Sequence, residues 1–186
     1  MPFIVLYDAN ALYGNAQRDL LIRIARSGLV QAKWTDEILD EMARARRRKN
    51  PDLSQENLDL LCERMRNAVA DSMVTGYEDL VENLKLPDAD DRHVLAAAIR
   101  AHAQVIVTSN LKHFPADYLA QFDIEAKTPD DFVVDQLGIN DTAVFACVQQ
   151  IADTRARPPN TVAGILEELE RSGLVLAAAQ LRSLMV

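Results

Sequence analysis

The sequence has only two cysteines and no spacing that would pair them. Cys62 and Cys147 lie far apart without a CxxC motif, and the three histidines, His93, His102 and His113, are equally scattered. This disfavours a disulfide-bonded scaffold and a zinc ribbon, because both need partners or ligands at short, regular spacing. We expect a protein of the reducing cytoplasm, in which His93 and His102 are half-buried helix residues rather than ligands.

Long hydrophobic runs are also missing. The apolar segment 2–7 has no basic leader and is interrupted by Asp8, and no later run approaches the roughly 20 residues that cross a bilayer. The sequence therefore predicts a soluble protein with neither a signal peptide nor a membrane anchor, and no membrane partner.

Basic residues are in the minority. The chain has 20 Lys and Arg against 28 Asp and Glu, which gives a net charge of -8 at pH 7. A surface that attracts nucleic acid everywhere is disfavoured, because phosphate binding normally leaves a basic footprint. If Asp8, Glu41, Asp88, Asp90 and Asp91 gather around cations, they account for -5 of this charge and leave -3 for the rest of the chain.

Apolar patterning predicts strands that alternate with helices. Residues 3–7 are a continuous apolar run, typical of a buried parallel strand, and Asp8 follows at its carboxyl end. Further strands are predicted at 104–108 and, more weakly, at 124–126, with an extended link at 29–34. Helices are predicted from Asn10 or Asn15 to the stop at Ser27-Gly28, at 36–49, after the cap Ser54 to about residue 69, and at 90–102. This order predicts an α/β fold with a parallel sheet, whose ligands lie beyond the carboxyl ends of the strands.

Beyond residue 139 the sequence predicts only helices. Gly138-Ile139-Asn140 breaks a helix that begins at Pro129, and two further helical segments cover residues 141–154 and 161–184. No candidate site residue lies there. We therefore divide the chain into an α/β unit, residues 1–138, and a helical C-terminal extension, residues 139–186.

Acidic side chains follow the first predicted strand and occupy two predicted helices. Asp8 ends the strand, Glu41 lies in the second long helix, and Asp88, Asp90 and Asp91 open a later one. Converging carboxylates repel one another, and an oxygen-only donor set favours Mg²⁺ or Mn²⁺, ions that hydrolyse phosphodiesters by activating water. The alternative is that the cluster only caps a helix and that Glu41 forms a surface ion pair.

These residues, in this order, resemble the PIN domain family and, within it, the VapC-type ribonuclease toxins. The similarity covers residues 3–132 and rests on Asp8-Ala-Asn after the first strand, Thr35-Asp-Glu-Ile-Leu-Asp-Glu41, Asp91-Arg-His-Val-Leu-Ala-Ala-Ala-Ile, and Val105-Ile-Val-Thr-Ser-Asn110-Leu-Lys-His113-Phe-Pro. It implies an α/β/α sandwich around a central parallel sheet, here with a C-terminal helical extension. It also implies metal-dependent cleavage of single-stranded RNA by the toxin of a type II toxin-antitoxin pair, a homodimer inhibited by a cognate antitoxin protein.

The resemblance assigns roles to the acidic residues. Asp8, Glu41 and Asp91 correspond to the first, second and third metal-binding acids. Glu37, one helical turn before Glu41, is the reserve for the second position, and Asp90 is either an auxiliary ligand or a partner of the helix dipole. Asp88 is expected to be a cap. The fourth acid of the family falls on a histidine, His113, so the sequence leaves open whether one or two metals bind.

Polar and basic residues near these acids are candidates for substrate binding. Thr108, Asn110 and His113 lie at the end of the last signature strand, where they can orient water, a phosphate or the substrate. Arg44, Arg46, Arg47 and Arg48 lie just after Glu41 and can hold an RNA backbone, or can simply complement the dipole at a helix C-terminus.

Two alternatives to the nuclease stay open. One is a catalytically degenerate PIN-like module that binds RNA or a protein without cutting, which the histidine at position 113 favours. The other is a phosphatase of the haloacid dehalogenase type, which also has an acid after its first strand. Such an enzyme needs a second Asp two residues later, where this chain has Asn10.

Overall fold

The computed structural model describes residues 3–156 and 158–185, so that Met1, Pro2, Arg157 and Val186 of the predicted units lie outside the described residues. The strands of this part are β1 (Ile4–Tyr7), β2 (Gln31–Lys33), β3 (Val105–Val107) and β4 (Glu125–Lys127). Its α-helices are α1 (Asn15–Arg26), α2 (Asp36–Lys49), α3 (Gln55–Arg66), α4 (Glu78–Val81), α5 (Arg92–Arg100), α6 (Ala116–Leu119), α7 (Pro129–Thr154), α8 (Val162–Arg171) and α9 (Val175–Ser183).

The strands form one parallel sheet in the order β2-β1-β3-β4. β1 and β3 lie in the middle, as expected of continuous apolar runs, and Val5 pairs with Ala32 on one side and Val105 on the other. The crossover from β1 to β2 runs towards one edge of the sheet, whereas those from β2 to β3 and from β3 to β4 run towards the other. Right-handed connections therefore place α1 and α5 on opposite faces of the sheet. The predicted α/β fold with a central parallel sheet and C-terminal helices is confirmed.

Several boundaries differ from the sequence-based expectation, and three of them bear on the sheet and the site. Residues 29–34 contain the edge strand β2. Only one of its residues, Ala32, is buried, so β2 lacks the continuous apolar run from which the other strands were predicted. β4 begins one residue later than the predicted 124–126. The helix expected from residue 90 begins at Arg92, because Ala89–Asp91 form a 3-10 turn capped by Asp88.

Aromatic side chains fix the carboxyl end of β1 to its surroundings. The fully buried Tyr7 ring stacks on Trp34, with centroids 6.2 Å apart, and meets the edge of Phe132 at 5.9 Å. The Tyr7 hydroxyl donates a hydrogen bond to the Leu21 carbonyl in α1, at 3.1 Å. The residue that follows Tyr7 is therefore held by contacts of Tyr7 with α1, with α7 and with Trp34, which directly follows β2.

The C-terminal helices pack on α7. This helix bends at Asn140, whose φ of -156° and ψ of 87° are not helical, so the predicted break at residues 138–140 is found as a kink within one element. α7 contacts α1, α8 and α9, so the predicted boundary between residues 138 and 139 falls inside a continuous element and stays a prediction. Within the described ranges no helix, α7 included, is long and apolar enough to cross a membrane.

The start of α9 is capped from α7 rather than by its own residues. The Asp130 carboxylate accepts hydrogen bonds from the backbone N–H groups of Leu176, at 2.9 Å, and Ala177, at 2.8 Å. Because the first N–H groups of a helix have no partner within the helix, this carboxylate both caps α9 and ties it to α7.

We expect Asp130→Ala to lower the free energy of unfolding by about 1–2 kcal/mol, because it leaves two N–H groups of α9 without their acceptor. Urea denaturation followed by circular dichroism measures the change. Asp117→Ala is the matched control, since Asp117 is an exposed acid in the first turn of α6. If both variants lose the same unfolding free energy, the hydrogen bonds from Asp130 to α9 contribute nothing beyond the interaction of an acid with the dipole of its own helix.

Candidate active site

Asp8 is buried directly beyond the carboxyl end of β1. Its carboxylate is 3% exposed and accepts three hydrogen bonds: from the Ala9 N–H at 2.7 Å, the Asn10 Nδ2 at 2.6 Å and the Thr108 hydroxyl at 2.8 Å. Burial raises the pKa of Asp8 and the negative charges of Asp91 and Glu41 raise it further, against the hydrogen bonds that lower it. An ionised Asp8 is thus costly without a cation.

Asn10 and Thr108 join β1 to β3 around this carboxylate. Asn10 Nδ2 also donates to the Thr108 hydroxyl oxygen at 3.1 Å, and Asn10 Oδ1 accepts from the Ser109 N–H at 2.7 Å. Thr108 is fully buried and accepts from the Asn110 N–H at 3.1 Å. Asn10 was not among the predicted site residues; the signal for it was its position two residues after Asp8 at a strand end.

Glu41 lies on α2, one turn after Glu37, and both face a buried histidine of α5. His93 Nε2 is 3.1 Å from Glu41 Oε1, and His93 Nδ1 is 3.6 Å from Glu37 Oε2. Burial lowers the pKa of His93, but the hydrogen bond and charge of Glu41, with those of Glu37 and Asp8, outweigh it and raise the pKa overall. The expected half-buried helix residue is therefore a buried partner of two acids, and His102 is an exposed residue after α5.

Asp91 precedes α5 and is bound to His113. The His113 Nδ1 lies 2.6 Å from Asp91 Oδ2 and 3.8 Å from Asp88 Oδ2. Burial raises the pKa of Asp91, the hydrogen bond and charge of His113 lower it, and the charges of Asp88 and Glu41 raise it. Asp88 accepts from the Asp90 N–H at 3.0 Å, which confirms it as a cap.

One cleft collects the three predicted metal-binding acids. A cavity of about 860 Å³ is lined by Asp8, Glu41 and Asp91. Asp90, predicted as an auxiliary ligand, lines it too, as do Glu37, His93 and Asn110. The acids come from the end of β1, from α2 and from the turn before α5, and parallel topology brings these segments to the same edge of the sheet.

The basic residues after Glu41 point in different directions. Arg44 and Arg48 line the cleft. Arg46 donates to the Tyr13 carbonyl at 2.9 Å and to Asn15 Oδ1 at 3.1 Å, and Arg47 donates to Gln55 Oε1 at 2.7 Å. The helical period separates the four residues, so two face the cleft and two bind neighbouring segments.

The donor set of the cleft fits a hard divalent cation. Asp8, Glu41 and Asp91 offer carboxylate oxygens, and none of them forms a salt bridge with a lysine or arginine of the described chain. In the described chain, the group whose ligand atoms all lie within 4.8 Å of one another is Asp88, Asp91 and His113, which shares Asp91 with the three predicted acids. Carboxylate oxygens are ligands that suit Mg²⁺ and Mn²⁺.

Comparisons with known proteins agree with this geometry. Residues 5–112 match the PIN domain profile, and residues 129–183 match the profile of the VapC50 C-terminal domain. The "Putative ribonuclease VapC50" of Mycobacterium tuberculosis (strain ATCC 25618 / H37Rv) is 43% identical over 103 residues, which are 55% of this chain. The match spans 60% of that relative, less than two thirds of its length. No solved structure matches the chain.

We expect Asp8→Asn to gain stability relative to wild type as the pH rises. Both proteins are neutral at this position below the ordinary carboxyl pKa of 3.8, and the raised pKa of Asp8 means that its ionisation destabilises the metal-free fold above that value. The difference in unfolding free energy between the variant and wild type should therefore grow between about pH 4 and pH 7. Urea denaturation in the presence of a chelator measures it.

Asp52→Asn is the control for this pH series, because Asp52 is exposed in the loop after α2. Its difference from wild type should not increase with pH. If the difference in unfolding free energy between Asp8→Asn and wild type does not change as the pH rises, ionisation of buried Asp8 does not destabilise the fold, and the expectation is wrong.

Proposed function

This chain belongs to the PIN domain family, and from that premise we propose that it is a divalent-metal-dependent endoribonuclease that hydrolyses phosphodiester bonds in single-stranded RNA. The observation that carries the proposal is the convergence of Asp8, Glu41 and Asp91 in one cleft without a lysine or arginine ion-paired to any of them in the described chain. The relative named as a ribonuclease supports the same reaction class.

Asp8, Glu41 and Asp91 would hold Mg²⁺ or Mn²⁺, with Asp90 as an additional ligand at the rim. Such a cation supplies an activated water and neutralises charge on the phosphate. Thr108 and Asn10 fix the Asp8 carboxylate by donating hydrogen bonds to it, so they act on the acid rather than on the substrate.

Substrate binding is assigned to the residues that face the open cleft. Arg44 and Arg48 provide positive charge for an RNA backbone, and Asn110 provides an amide at the mouth of the cleft. Arg46 and Arg47 hold α2 against its neighbours instead, because their guanidinium groups already bind other segments. His113 orients Asp91, to which it is bound.

The proposal extends to partners by family resemblance. We assign the chain as the toxin of a type II toxin-antitoxin pair, a homodimer of the cytoplasm whose cleft is blocked by a cognate antitoxin protein. The match of residues 129–183 to the VapC50 C-terminal domain supports a toxin of this type.

The second candidate function is a catalytically degenerate PIN-like module that binds RNA or a protein without cutting. One observation favours it: His113 lies 2.6 Å from Asp91 at the position of the family's fourth acid, and so occupies part of the donor set. A cleavage assay separates the two functions.

Asp8→Asn should reduce the rate of RNA cleavage by at least about 100-fold, because it removes a ligand charge while keeping the side-chain volume. Initial rates on a labelled single-stranded RNA in Mn²⁺ measure the loss. Asp52→Asn should cut at the wild-type rate. An Asp8→Asn protein as fast as wild type would reject the assignment of Asp8, and a wild type without activity would favour the degenerate module.

Arg44→Gln combined with Arg48→Gln should weaken RNA binding and flatten its dependence on salt. Two lost phosphate contacts lower the slope of log K against log salt by about 1.4, at roughly 0.7 per contact on a single strand. Fluorescence anisotropy of labelled RNA measures the affinity and its dependence on salt. The proteins compared all carry Asp8→Asn as well, so that the RNA is not cut during the measurement. The control is Arg47→Gln, which should keep the parental slope; an equal change in both proteins would disprove the division of the arginines.

A further inference from the structure

A chain of polar contacts runs from α4 to the metal-binding edge of α2. The Tyr77 hydroxyl, just before α4, donates to Glu37 Oε2 at 3.2 Å. That oxygen is 3.6 Å from His93 Nδ1, and His93 Nε2 is 3.1 Å from Glu41 Oε1. The contacts therefore connect Tyr77, Glu37, His93 and Glu41 in sequence.

His93 differs from the rest of the buried surface of its helix. The residues that follow it in α5 and are buried with it are apolar: Val94, Leu95, Ala96, Ala97 and Ala98. His93 itself is 5% exposed, and both of its ring nitrogens face carboxylates rather than apolar side chains. An ionised carboxylate accepts hydrogen bonds but has no proton to donate, so the Nε2–H group of His93 donates to Glu41.

Each of the three acids has its own fixed donors. Asp8 accepts from Ala9, Asn10 and Thr108, and Asp91 is bound to His113. For Glu41 the hydrogen bond recorded in the described chain is the one with His93. Glutamate has one more rotatable bond than aspartate, and this side chain is 31% exposed, so it needs an external contact to keep one orientation.

We propose that His93 is the positioning residue for Glu41: its Nε2–H holds one carboxylate oxygen and thereby presents the acid to the cation. This inference rests on the proposed metal-dependent function. Glu37, which the sequence held in reserve for the second acid, lies 3.6 Å from the other ring nitrogen of His93 and forms no hydrogen bond with it. Partners of this kind commonly fix the geometry of metal ligands and tune their affinity.

Mn²⁺ titration by calorimetry on three variants of the full chain tests the proposal. Gln carries an amide nitrogen near the position of Nε2, whereas Asn carries one near Nδ1. His93→Gln should therefore keep the Mn²⁺ dissociation constant within about threefold of wild type, and His93→Asn and His93→Ala should weaken binding by about 10- to 100-fold. Urea denaturation of each variant reports on folding separately.

Each result has a defined meaning. Rescue by Gln but not by Asn supports a role through the Nε2–H group, and this comparison stands even if His93→Ala does not fold. Wild-type affinity in all three variants, or equal weakening in all three, overturns the proposal, because the effect would then be absent or a matter of ring packing. A wild-type protein that takes up no Mn²⁺ rejects the proposed function itself, and this inference with it.

Discussion

Burial of the Asp8 carboxylate beyond the carboxyl end of β1 is the constraint on which the site depends. A charge removed from water is destabilising unless donors surround it, and two further acids in the same cleft add to the cost. The donors come from Ala9, Asn10 and, across the sheet, Thr108. Because Thr108 reaches Asp8 only when β1 and β3 are neighbours, the acidic site depends on the strand order.

The cleft combines three carboxylates that differ in how they are held. Asp8 is fixed by the sheet, Glu41 by a histidine of α5 and Asp91 by a histidine from the turn after β3. Each acid keeps a defined place although the charges repel one another. Such an arrangement costs stability in the metal-free protein, and the proposed cation would relieve the repulsion.

Much of the fold could be predicted because its central elements carry simple patterns. β1 and β3 are continuous apolar runs, and α2 is capped by Thr35, whose hydroxyl accepts from the Ile38 N–H at 3.0 Å. β2 could not be recognised as a strand from its sequence. It is a strand because it forms hydrogen bonds with β1. The arginines after Glu41 looked like one basic patch, but the turn of the helix divides it.

The sequence by itself determined most of the helices and the two central strands, since apolar periodicity is a local property, and its resemblance to the PIN domain family singled out the three acids. Only the tertiary structure decided what holds each acid: Asn10 meets Thr108 across 98 positions, and Glu41 meets His93 across 52. A hydrogen bond depends on strand order, helix rotation and the rotamer of both partners. No local pattern encodes these, because packing between distant segments fixes them only when the chain folds.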